Sequence, residues 1–311
     1  MVVRSAGVRT VLLILVGVLG AGCTGDRSEP AKAQAQVRVT VGAGLSAEQQ
    51  IVARMYAQAL EKAGFAVTTR FGSGARAAYV PALQRGELDV VPEYLSPLTE
   101  YLRAGVPVGS RPPPASGNVE RTARILDGLL GRLPLGVTRP SGATDQPAIA
   151  VPKTLADEQK LAEVSDLVRL NGQLVLGGPT GCVEDAHCLA GLQDRYGLRF
   201  ADVEELGPVN GKPIFDALRD GDVDVGAVLS SSGGIAAGSL VVLRDDRLLQ
   251  PAGNIVALYR KAVPPAARAV VDHVNRALTT EKLQELNKRQ DLDGEDPDGL
   301  AKRFLEDARL I

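Results

Sequence analysis

The chain has 311 residues, room for two ordinary domains, and its 45% hydrophobic against 23% charged residues allow cores of full size to be buried. Its 35 basic and 37 acidic residues leave a formal charge of −2, which speaks against a nucleic-acid binder, since that would carry a basic stripe. Tryptophan is absent and aromatic residues make up only 4%, so few aromatic faces are available for any site.

Arg4 and Arg9 precede an apolar run from Val11 to Leu19, followed by Gly20-Ala21-Gly22-Cys23. A basic start, a short apolar core and small residues define a secretory signal, and the run is too short to span a bilayer comfortably. A cysteine directly after small residues resembles the lipobox of bacterial lipoproteins, whose leader is cut before the cysteine and whose thiol carries diacylglycerol. That pattern prefers leucine three residues before the cysteine, where this chain has Gly20 with Leu19 one step earlier. The expectation is a signal peptide over 1–22, lipidation of Cys23 and a polar tether over 23–36. The alternative is cleavage without lipid or a retained anchor helix. Cys182 and Cys188 remain as an even pair in an oxidising compartment, expected to close a small loop by a disulfide. His187 beside them does not make a metal site, because further ligands are not spaced nearby.

Val37–Val41 alternates and is β-branched, which predicts the first strand. Ser46 with Gln49 three residues later suggests a capping box opening a helix to about Lys62, which Gly64 stops. Ala66–Phe71 reads as a strand, Gly72-Ser73-Gly74 leads into a helix ending at Gly86, and Leu88–Val91 is a third strand with Pro92-Glu93-Tyr94 leaving its carboxyl end. Ser96-Pro97 starts another helix, completing a βαβαβ unit with a parallel sheet. Ala104–Gly117 is a Pro/Gly-rich exposed loop before a helix over about Asn118–Leu133, and Leu135–Val137 is short and extended.

Ala148–Val151 is a buried strand, and the chain is expected to cross into a second lobe just before it. Short helices over Thr154–Leu161 and Glu163–Leu170, a strand at Leu174–Leu176, the cysteine loop and a helix over Cys188–Arg195 follow. Then come a strand at Val203–Leu206, a helix over Pro213–Asp220, a strand at Val223–Val228 and the loop Ser230–Gly234. Leu240–Leu243 is a further strand, Asn254–Leu258 leads back to the first lobe, and helices cover Pro264–Leu278, Thr280–Arg289 and the stretch from Asp296-Pro297.

Two stretches nearly repeat: A-L-Q-R-G-E-L-D-V at 82–90 and A-L-R-D-G-D-V-D-V at 217–225. Each reads as a last helical turn, a glycine able to take the left-handed cap, and a buried strand. Helix–Gly–strand is common enough to arise by coincidence, but the sharper reading is two lobes of like design. The expected organisation is 37–145 plus 253–311 as the first lobe and 146–252 as the second.

Several segments in order and spacing carry a family resemblance. They are Gln58-Ala59-Leu60-Glu61 with Ala63-Gly64, Gly86-Glu87-Leu88-Asp89 with Pro92-Glu93-Tyr94, and Leu176-Gly177-Gly178. Further on come Gly191-Leu192 with Tyr196-Gly197-Leu198, Leu240–Leu243 with Asp245-Asp246, and Leu283, Leu286 and Asn287 with Gly294, Asp296 and Pro297. The chain from Val37 to Ile311 resembles the osmoprotectant (glycine betaine, choline) substrate-binding lipoproteins of ABC importers. The resemblance implies a two-lobed α/β type II periplasmic-binding fold, each lobe a mostly parallel sheet flanked by helices with a ligand cleft between them. It also implies a monomer that takes a small ligand, partners ABC permease and ATPase subunits, is held at the membrane by its lipid, binds no nucleic acid and uses no cofactor or metal.

Ligands of open α/β sheets bind beyond the carboxyl ends of strands, and a cleft between two lobes closes by hinge motion. The family's box for a quaternary ammonium is four tyrosines acting by cation–π attraction, roughly 0.5–2 kcal/mol each. Carried over by position, Tyr94 survives, while the others fall at Pro147, Leu229 and Gly253. Gly44, Leu45 and Ser46 stand where the family has Lys, Asn and an aromatic. Arg76, Asp145, Gln146, Ser230, Ser231, Ser232 and Asn254 are the polar candidates left at the expected strand ends, and the lost tyrosines point to a different or broader ligand, neutral and hydroxyl-bearing. The motifs GxxxxGK[ST], HExxH and GxSxG are absent, and no nucleophile–base pair is visible, so no enzyme is expected. A lipid-anchored sensor or scaffold on the same fold is the alternative to transport.

Overall fold

A computed structural model describes residues 37–209 and 211–311; the expected leader, Cys23 and the tether lie outside them. The chain first builds β1 (Arg38–Gly42), α1 (Ala47–Lys62), β2 (Ala66–Arg70), α2 (Arg76–Arg85), β3 (Val90–Tyr94), α3 (Leu95–Ala104), α4 (Val119–Leu130) and β4 (Leu135–Val137). It then builds β5 (Pro147–Pro152), α5 (Lys153–Gln159), β6 (Val175–Gly178), α6 (Leu189–Tyr196), β7 (Asp202–Glu205), α7 (Lys212–Asp220), β8 (Val225–Leu229), α8 (Gly233–Ala237) and β9 (Leu240–Leu243). It ends with β10 (Ile255–Arg260), α9 (Pro265–Ala277), α10 (Thr280–Asp291) and α11 (Pro297–Asp307).

The strands form two five-stranded sheets ordered β2-β1-β3-β10-β4 and β7-β6-β8-β5-β9. The two orders are the same pattern. Among the described residues, the only strand of each sheet running against the rest is the one that enters from the other sheet: β10 is antiparallel to β3 and β4, and β5 to β8 and β9. A chain arriving at the carboxyl ends of the parallel strands must run back along them. Hence β10 begins with Ile255 opposite Tyr94, the last residue of β3, and β5 begins with Pro147 opposite Leu229, the last residue of β8.

Apolar helix faces cover both sides of each sheet. Ile51, Met55, Tyr56 and Leu60 of α1 join Val274 and Phe304 on one face of the first sheet, and Leu83, Leu98 and Leu126 pack on the other. Leu167, Leu192 and Leu198 cover one face of the second sheet, and Ile214 and Leu218 the other. Cys182 and Cys188 are disulfide-bonded and buried in this second core. Among the described residues no helix is long and apolar enough to cross a membrane.

The repeated stretch is equivalent down to single atoms. Gly86 and Gly221 take the left-handed cap at φ 78° and 81°, where a side chain would be strained. Asp89 Oδ2 accepts from Thr40 N–H at 2.8 Å, and Asp224 Oδ2 accepts from Val175 N–H at 2.8 Å. Each aspartate thus ties its helix–strand corner to the neighbouring strand, which explains an acid repeated at the start of two otherwise apolar strands.

Four local expectations change. Pro92-Glu93-Tyr94 lies inside β3 rather than beyond it. The missing N–H of Pro92 costs nothing there, because the partner Ala257 turns its own N–H and C=O to Thr138. Ser46 caps α1 through Gln49 N–H, but the Gln49 side chain does not reach back; it bridges Gly44 N–H and Pro92 C=O. Val164–Leu170 is a 3-10 helix. The glycines expected to form a loop after Ser232 instead open α8, because that backbone must pack directly on α10.

Candidate functional site

The two segments that join the sheets run side by side as an antiparallel ribbon. Thr144 pairs with Asn254, Asp145 N–H donates to Gly253 C=O at 3.0 Å, and Ile255 N–H donates to Ala143 C=O at 3.0 Å. Alternation along an extended strand sends successive side chains to opposite faces. On one face Asp145 Oδ1 accepts from Ser231 Oγ at 2.8 Å. On the other, Thr144 Oγ1 meets Ser230 Oγ at 3.0 Å and Thr280 Oγ1 at 3.1 Å. We call these the front and the rear of the hinge.

At the front, residues distant in the chain converge. Glu48, in the first turn of α1, is 8% exposed. Its Oε1 accepts from the Tyr94 hydroxyl at 2.8 Å and its Oε2 from Asn287 Nδ2 at 2.7 Å. Asn287 Nδ2 also donates to Ser231 C=O at 2.9 Å, so α1, β3, α10, the hinge and the loop after β8 share one network. Burial first, and then the charge of Asp145, push the Glu48 carboxyl up to about 7. Burial also raises Asp145, and burial with the neighbouring Glu48 and Asp145 charges raises the Tyr94 phenol. Among the described residues neither carboxylate has a Lys, Arg or His at ion-pair distance. The front therefore holds two carboxyl groups beside an aromatic ring with no cation to balance them.

The family model for the substrate-binding domain of ABC-type glycine betaine transport systems matches residues 37–307. The chain belongs to this family. It is therefore an extracytoplasmic substrate-binding component of an ABC importer, a binding protein and not an enzyme. The glycine-betaine-binding protein of Pseudomonas aeruginosa is 27% identical over 317 residues, covering 98% of this chain and 95% of its own. Glycine betaine-binding protein YehZ of Escherichia coli is 24% identical, covering 88% and 91%. The fold is that of a glycine betaine/carnitine/choline ABC transporter crystal structure, with a TM-score of 0.79 at 22% identity over 88% of this chain and 99% of that one. Apo YehZ gives 0.78 at 22% identity, over 88% of this chain and 99% of that one.

Of the residues expected from the sequence of this family member, Tyr94, Asp145 and Ser231 meet at the front. Gln146 and Ser230 belong to the rear: Ser230 Oγ donates to Thr144 C=O at 2.8 Å, and Gln146 Oε1 accepts from Gly253 N–H at 2.9 Å. Ser232 N–H donates to Leu229 C=O just before α8. Asn254 donates Nδ2 to Ser141 C=O at 2.9 Å, and its buried Oδ1 has no partner among the described residues. Arg76 is committed elsewhere. Its guanidinium sits 2.8 Å from Glu93, which is 1% exposed and also accepts from the Tyr79 hydroxyl and from Tyr94 N–H. Arg76 thus neutralises a buried structural acid.

The positions of the three lost tyrosines have a physical reading. Pro147 and Leu229 are cross-strand neighbours where β5 meets β8. At Gly253 a Cβ would fall 2.6 Å from the carbonyl carbon of Asp145, so the ribbon is too close for any side chain. Glu48 and Asn287, by contrast, were not singled out by sequence. The available signal was a carboxylate at 48 on the buried stripe of α1, spaced with Ile51, Val52 and Met55.

Proposed function

We propose that the protein is a lipid-anchored receptor, tethered through Cys23, that captures a small cationic ligand at the front of the hinge and hands it to an ABC permease and its ATPase subunits. Residues 37–145 with 253–311 act as one lobe and 146–252 as the other. The observation that carries the reading is the meeting of Tyr94, Glu48 and Asp145 without a balancing cation, at the carboxyl ends of both sheets. A quaternary or protonated ammonium would lie against the Tyr94 ring and restore both carboxylates to their ionised forms. A carboxylate on the ligand would meet no cation, because Arg76 is held by Glu93. The expected order is therefore choline-type cations ahead of zwitterions such as glycine betaine and carnitine.

Calorimetric titration with choline, glycine betaine, carnitine, proline and a neutral polyol set tests this. Choline should bind tightest, and Tyr94→Ala should weaken it by roughly 1–2 kcal/mol. Tight binding of a neutral polyol with no response to choline would overturn the reading. The anchor is tested by mass spectrometry of the mature protein, in which Cys23→Ser should abolish a diacylglyceryl adduct.

A further inference from the structure

Behind the hinge lies a cavity of about 600 Å³. Thr144 and Gln146 of the ribbon form one wall, Thr280, Glu281 and Gln284 of α10 a second, and the cleft ends of β5 and β9 a third. Its floor is the core of the second sheet, with Ile149, Val164, Leu192 and Leu243 all at 2% exposure or less. Gln250 also lines it and is 3% exposed. The Gln250 Nε2 donates to His187 C=O at 2.9 Å, while its Oε1 is buried without a partner among the described residues. A buried amide acceptor left unpaired is unfavourable, so this wall is set up for a donor.

The charges favour a cation. Asp245 is fixed by N–H groups of Leu249 and Gln250 at 3.0 and 2.6 Å and by the Tyr196 hydroxyl. Glu281 has no ion-pair partner among the described residues. Arg244, just after the end of β9, is already paired with Glu163. We propose that this rear cavity is a second small-molecule site, separate from the front of the hinge, that takes an amphiphilic primary amine. Its alkyl chain lies on the leucine floor and its ammonium donates to Gln250 Oε1 in the field of Glu281 and Asp245.

The location gives the site a consequence. On α10, Gln284 donates to Ser230 C=O at the rear and Asn287 holds Ser231 and Glu48 at the front. One helix thus reads both faces of the hinge, and coupling carried by it is reciprocal: rear occupancy changes front affinity by the factor by which front occupancy changes the rear.

The test is calorimetric titration of the full chain with n-hexylammonium and n-butylammonium chloride. Hexylammonium should bind saturably at one site and more tightly than butylammonium. Gln250→Leu should weaken it at least tenfold and Glu281→Gln severalfold; should Gln250→Leu fail to fold, Glu281→Gln, at an exposed position, carries the test. Saturating choline should shift the hexylammonium affinity without displacing it. Absence of saturable binding, wild-type binding by both variants, or simple competition with choline would each overturn the proposal.

Discussion

Glu48→Gln isolates the cost of holding a carboxyl group at the front of the hinge. The carboxyl is moved from its ordinary 4.5 to about 7, and each pH unit is worth 1.36 kcal/mol, so keeping it ionised there costs about 3 kcal/mol. The folded protein binds more protons than the unfolded chain between those two values. The Glu48 contribution to stability is therefore greatest below about pH 4.5, falls as pH rises towards about 7 and is flat beyond. Asp145, also raised, acts in the same direction. Glutamine cannot ionise, but its amide meets the Asn287 donor badly, a loss of about 1 kcal/mol. The variant should then be slightly less stable than wild type at pH 4.5 and about 2 kcal/mol more stable at pH 8. Urea unfolding at constant ionic strength across that range measures the difference, with small-angle scattering to report whether the cost appears as opening of the two halves. A difference between wild type and variant that stays constant with pH would refute the reasoning. Saturating choline should flatten the wild-type profile, because a bound cation favours the ionised carboxylates.

Gly233→Ala would place a Cβ 2.6 Å from Lys288 Cα and 2.8 Å from the Asn287 carbonyl carbon. That should cost about 1–3 kcal/mol in thermal unfolding and weaken front-site affinity by displacing Asn287; an unchanged melting temperature would contradict the packing. Asp224→Ala leaves Val175 N–H unpaired and should cost about 1.5–3 kcal/mol by urea titration, with Asp224→Asn largely restoring stability. Asp89→Ala should cost more, since Asp89 also pairs with Arg260 at 2.6 Å. Replacing Cys182 and Cys188 by serine opens a short loop and should lower stability by about 2 kcal/mol, seen as a shift in the urea midpoint under oxidising conditions only.

What was legible in the sequence follows the range of the forces involved. Strands and helices declared themselves through local periodicity and stops: Gly86 and Gly221 end helices because glycine alone takes their backbone angles without strain, and the repeated A-L-x-x-G stretch carries the like design of the halves in the sequence itself. Tyr94 came through a motif. Glu48 was hidden because an acid in the first turn of a helix is ordinarily explained by the helix dipole, and its partner Asn287 lies 239 residues away. They meet because the chain returns to the first sheet at its end, where α10 packs into the same core as α1. Arg76 is the complementary case: it stood out as a polar candidate at a strand end, and the structure pairs it with Glu93, buried in β3 and 17 residues away. The missing tyrosines join these two cases. A box of aromatic faces needs room at the hinge, and the ribbon at Gly253 has closed that room against Asp145. Once the backbone approaches so nearly, charge is the remaining way to hold a cation there, and for that reason the site we propose rests on the buried Glu48 and the half-buried Asp145.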